Sequence, residues 1–224
     1  MNAHFRGSRA RWGWSAIGCA FVVLIASAPC ARADSALAQR LGPDLARRVD
    51  DIVRAAQAES LPTAPLVATA LEGATKRVPP DRIVAALERH LGSLRDARAA
   101  LGDSVGDPVL VAAAAVLRAG VPRESLVSLR AARPGQSLLV PLVVLGDMLA
   151  RQVPPGAGGA VVVSLVRAGA SDVQLMKLRQ GIDEDIRKGV APMESAVRAR
   201  ALLHTLPASN APPAPGARAP GEQP

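Results

Sequence analysis

One short pattern returns along this chain and limits what it can build. It is an apolar residue, then a proline, then a second apolar residue four positions after the proline. Leu61-Pro62 leads to Leu66, Val78-Pro79 to Ile83 and Val121-Pro122 to Leu126. Ala170-Ser171 leads to Leu175 with serine in the proline's place, and Val190-Ala191-Pro192 is a looser copy. The physical content is a helix start. Proline ends the preceding helix and pre-sets φ for the next one. With Ser171 as N-cap, Ala170 and Leu175 are the two halves of a hydrophobic staple. Gly73, Gly120, Gly169 and Gly189 come shortly before these starts and suit helix C-caps. Punctuation of this kind calls for helices joined by tight corners.

The stretches between corners have helical periods. Leu45, Val49, Ile52, Val53 and Ala56 share one face, as do Ile83, Leu87, Leu91, Leu94 and Leu101, and again Leu175, Leu178, Ile182 and Ile186. On the polar side, Asp44/Arg48, Arg47/Asp51, Asp50/Arg54, Asp147/Arg151, Asp183/Arg187 and Glu184/Lys188 stand at ion-pair spacing. No polar/apolar alternation or hairpin dipeptide is sustained. The valine-rich runs Leu138–Leu145 and Ala160–Val166 lie in helical surroundings and read as buried helix segments. The expectation is an all-α fold. It has about eight or nine short helices in a compact array with tight Pro/Gly corners, like the helical hairpins of an α-solenoid. Pro62 to Pro79 and Pro154 to Ser171 share one spacing, which raises a duplication of residues 59–100 in 151–190. Tetratricopeptide units need aromatic residues at fixed places, and this region has none.

Three regions follow from composition. Residues 1–33 read as a cleaved secretory signal peptide. Arg6, Arg9 and Arg11 precede an apolar stretch, and Ala31 and Ala33 are the small residues before a cut at Asp34. The protein is then exported, to a periplasm or outside the cell. An inner-membrane anchor formed by an uncleaved leader is the alternative, but the apolar stretch is short against a span of about 20 residues. Residues 34–206 are expected to form a single all-helical domain. Residues 207–224 are rich in Pro, Ala and Gly and read as a disordered tail.

Both cysteines, both tryptophans and both phenylalanines fall in residues 1–33, and there is no tyrosine. The rest of the chain therefore cannot supply a thiol nucleophile, a disulfide, a Cys-based zinc or iron–sulfur site, or aromatic stacking for nucleic-acid bases. The net charge of +8 contains four leader arginines, so the remainder is only mildly basic. A nucleic-acid face is not demanded.

Few residues are candidates for chemistry. His90 sits between Leu87 and Leu94 on an apolar stripe and reads as a packed histidine with one hydrogen bond; a functional role would need partners there. His204 lies near a helix C-terminus. Asp183-Glu184-Asp185 point in three directions on a helix and cannot chelate one ion together. The run Pro154–Gly159 lacks the Gly-Lys-Ser/Thr ending of a phosphate loop and reads as a flexible corner. Ser164 is expected to bond back to its own turn. Arg118, Arg123, Arg130 and Arg133 are the densest basic group, with only Glu124 among them. They are the candidate binding residues, for an acidic protein face or, alternatively, anionic lipid or wall polymer. No metal or cofactor is expected. The reading is a non-catalytic scaffold module that binds another envelope or secreted protein. A polyanion binder is the alternative, and an enzyme using His90 ranks last.

Overall fold

A computed structural model describes residues 40–203, and among these residues there are nine helices and no strand. We number them α1 (Pro43–Ala58), α2 (Ala64–Thr75), α3 (Pro80–Leu101), α4 (Asp107–Arg118), α5 (Arg123–Ala132), α6 (Leu139–Ala150), α7 (Pro155–Arg167), α8 (Asp172–Arg187) and α9 (Pro192–Leu203). Proline occupies the first or second position of α1, α2, α3, α4 and α7, where its missing N–H has no helical partner to lose. At α8, Ser171 accepts from the Gln174 N–H and the Gln174 side chain accepts from the Ser171 N–H, a full capping box. Both valine-rich runs lie in helices, α6 and α7. Residues 1–33, expected to be a leader, and the expected cleavage residues Ala31, Ala33 and Asp34 lie outside the described residues, as do His204 and residues 207–224.

The corners share one backbone solution, used six times. Leu61, Val78, Val121, Val153, Ala170 and Val190 each donate their N–H to the carbonyl five residues earlier, at 2.9–3.1 Å. The residue before each has positive φ: Ser60, Arg77, Gly120, Gln152, Gly169 and Gly189. This is the Schellman ending, and it turns the chain within a few residues while satisfying the last carbonyls. Half of these left-handed positions are not glycine. Gly73 proves not to be a C-cap. It lies inside α2, where an added Cβ would stand 2.9 Å from Ile83 Cγ1, so its missing side chain admits α3.

Every helix but α2 packs on a helix two places along, and most also pack on a chain neighbour. One layer stacks α1, α3, α5, α7 and α9 in order, and a second stacks α4, α6 and α8, with α2 set against α1 and α3. The array therefore grows by stacking helices in two layers, as in an α-solenoid. Helices begin at Asp107, Arg123, Leu139, Pro155 and Asp172 at a nearly constant step. The spacing that suggested a duplicated pair is thus the step of the wider array. One continuous core of Leu, Val, Ile and Ala runs through it, with Leu66, Leu87, Leu94, Leu110, Leu126 and Leu145 among its fully buried side chains.

Two expectations change at this level. The run Pro154–Gly159 is not a flexible corner. It caps and opens α7, and Gly158 and Gly159 are buried. A Cβ on Gly159 would lie 2.9 Å from Ser125 Oγ of α5, and one on Gly158 would lie 3.2 Å from Leu145 Cδ1 of α6. The glycines let three helices approach closely. The ion pairs also differ. Arg54 does bind Asp50, but Asp44 pairs with Arg47, and Arg48 crosses to Asp81 of α3 at 2.6 Å. Asp147 and Arg151 of α6 pair with Arg179 and Asp183 of α8 rather than with each other. Stacked helices offer a long arginine side chain a partner on the next helix as readily as on its own.

Candidate functional site

The four clustered arginines separate in the fold. Arg118 ends α4, Arg123 begins α5, and both are exposed. Arg130, in the last turn of α5, extends to Gly102 at the end of α3, so close that a Cβ there would collide with its guanidinium. Arg133 goes the other way. It is only 8% exposed, and its guanidinium donates to the Ala170 carbonyl and to Asp172, which ties α5 to the α7–α8 corner. It is a buried structural tie and not part of an exposed basic face. The sequence could not show this, because adjacent arginines near a helix end look alike until the neighbouring helices are placed.

Arg130 leads to a cavity that the sequence reading missed. Where the C-terminal ends of α1 and α3 meet, Glu59, Leu61, Arg95, Arg98, Gly102 and Asp103 surround an open space of about 360 Å³, with Ala99 on its wall. Arg95 donates Nε and Nη2 to the two Glu59 oxygens at 2.7 and 2.5 Å, a forked pair between the two helices. That hydrogen bonding holds the Glu59 carboxyl below its usual range and raises the Arg95 guanidinium. Arg98 lies deeper, its side chain 20% exposed. It donates to the Ser60 carbonyl at 2.9 Å and the Asp103 carbonyl at 3.0 Å. Both are groups that the helix endings leave free. Gly102 closes α3 with φ +81° and ψ 177°, a conformation nearly confined to glycine. The available signal was Arg95-x-x-Arg98 followed by Gly102: two arginines on one face of the last turns, then a helix stop.

His90 is sealed inside. It is 3% exposed on α3, and Nδ1 lies 3.2 Å from Thr69 Oγ1 of α2. The Thr69 hydroxyl donates to the Pro65 carbonyl at 2.8 Å, so its oxygen accepts from His90. That assigns the proton to Nδ1 and leaves Nε2 bare, buried and without a partner. Burial, then the positive charge of Arg118, pushes the imidazole down to about 4. Arg118, though exposed as a residue, has its guanidinium partly desolvated, which lowers its pKa. A neutral imidazole with no carboxylate bonded to it is poorly placed to act as a general base.

The remaining candidates have local roles. Asp183 pairs with Arg151, and Asp185 accepts from the Ser195 hydroxyl at 3.0 Å, so the acidic run faces different helices. Ser164 donates to the Val161 carbonyl at 2.9 Å, within its own turn. Among the described residues no group of three His, Cys, Asp or Glu side chains converges, and no helix is long and apolar enough to cross a membrane. Comparison with protein-family models, with curated proteins and with solved structures finds no match.

Proposed function

We propose that this chain is an exported, non-catalytic helical-repeat module that binds another protein of the cell envelope. The observation that carries the reading is the stacking of helices two places apart. Such an array presents a long, ordered surface, and its features are available for contact without a buried active centre. The placement of His90 also supports it. The one histidine of the described residues is enclosed between α2, α3 and α4, which is the environment of a packing residue.

The alternative, an electrostatic binder of lipid head groups or wall polymer, draws on Arg118, Arg123 and Arg130. These three form no ion pair among the described residues. Salt separates the two readings, because screening at high ionic strength weakens exposed charge contacts far more than apolar ones. The test is capture by tagged protein from an envelope fraction at low and high salt. The captured species is then purified and its binding measured directly. A protein that stays bound at high salt, in fixed proportion, is expected. Lipid or polymer lost at high salt would refute it in favour of the alternative. Recovery of nothing at either salt would refute both.

A further inference from the structure

The cavity beside Arg98 is lined by two arginines and two acids, and Arg130 at its edge adds a positive charge that no acid of the lining binds. Glu59 is committed to Arg95 through both of its oxygens. Arg98 has one long ion pair: Asp103 Oδ1 is 4.0 Å away on a side chain that is 98% exposed. Its hydrogen bonds go to neutral carbonyls, and its Nε is buried with no partner. Arg130 lies against Gly102 on the cavity's edge and makes no ion pair among the described residues. The C-termini of α1 and α3 bring partial negative charge that holds Arg98 in place, and the nearest full negative charge is the solvent-exposed Asp103 carboxylate, where an exposed pair at that distance contributes little.

A guanidinium favours planar oxyanions that accept two parallel hydrogen bonds. The space, about 360 Å³ and open to solvent, fits one carboxylate with the chain that bears it. Gly102 keeps it clear, because a side chain there would be strained and would strike Arg130. We propose that this cavity is a carboxylate site that receives an aspartate or glutamate side chain, or a chain end, from a partner peptide. The inference deepens the binding-module reading and rests on it.

Ala99 gives a clean test. It is an exposed helix position on the cavity wall, so Ala99→Glu places a competing carboxylate there without touching the core. Fluorescein-labelled hexaglutamate is titrated into the full chain and followed by anisotropy, with hexaglutamine as control and free glutarate as competitor. Hexaglutamate is expected to bind, and Ala99→Glu and Arg130→Gln are each expected to weaken it by about tenfold. Arg82→Gln, at the far end of α3, should leave binding unchanged. Glutarate bound at this cavity without hexaglutamate would support the carboxylate site but overturn a peptide as its source. Equal binding of hexaglutamate by the wild type and Ala99→Glu would overturn the proposal, as would no binding of either probe. If no probe binds while the envelope capture still yields a protein, the cavity assignment fails and the binding-module reading stands.

Discussion

Acid should weaken this fold through His90, and the amount can be worked out. The imidazole falls from its ordinary 6.5 to about 4 in the folded protein. Its folded-state pKa is depressed, so the contribution is fully present above pH 6.5 and is lost as pH falls from there towards 4. The unfolded chain takes up a proton that the folded chain refuses. Each pKa unit corresponds to about 1.4 kcal/mol, so the full effect is about 3 kcal/mol, of which about 2 kcal/mol is already lost at pH 5. That is a large share of the stability of a typical domain. The perturbation is His90→Asn, which keeps a donor towards Thr69 but cannot titrate. The variant should be less stable than wild type at pH 7, because it leaves a gap among packed side chains. Its pH dependence is the informative quantity. Urea unfolding followed by circular dichroism between pH 7.5 and pH 4.5 should show wild type losing about 2.5 kcal/mol more than the variant over that range. Parallel losses in the two proteins would refute the burial argument.

Three further expectations concern the array. Gly120→Ala puts a side chain at φ +93° and should cost about 1 kcal/mol in urea unfolding, the left-handed penalty less the gain from a stiffer unfolded chain. Gly159→Ala should destabilise through contact with Ser125 Oγ. The double variant Ser125→Ala/Gly159→Ala should recover at least wild-type Tm, because alanine gains about 1 kcal/mol over glycine within a helix. Arg133→Ala should cost about 2 kcal/mol by the same unfolding assay, since it removes two charge-assisted hydrogen bonds at a buried position, while exposed Arg123→Ala should stay within about 0.5 kcal/mol.

The corners were legible because their chemistry is local. A staple needs two apolar residues and a proline or serine between them, and each such start named from the sequence opens a helix. Ser171 shows the same directness, since its hydroxyl caps the helix it precedes. The left-handed residues were legible only where they were glycine. Arg77 and Gln152 adopt positive φ for the sake of the corner as a whole, and nothing in their side chains announces it. The charge pairs were misread for a different reason. Four-residue spacing satisfies Asp147/Arg151 on one helix, but it equally matches a parallel helix carrying Arg179 and Asp183 four apart, and the parallel helix prevails. Gly158 and Gly159 failed in the same way, because close approach by Leu145 and Ser125 is a tertiary fact. The arginine cavity is the extreme case. It joins residues from the corner after α1, from α3 and from the corner after α3, and Arg130 reaches its edge from α5. Its charged residues look like ordinary solvated positions in the sequence.

Binding of a partner through the arginine-lined end of α1 and α3 is what the proposed function and the carboxylate site together require. The most direct measurement is envelope capture at high salt with wild type and Ala99→Glu used side by side as bait, each captured protein then being purified and titrated against both. A partner bound by wild type and lost with Ala99→Glu is the expected result. A partner held equally by both baits, or none held by either, would contradict the claim.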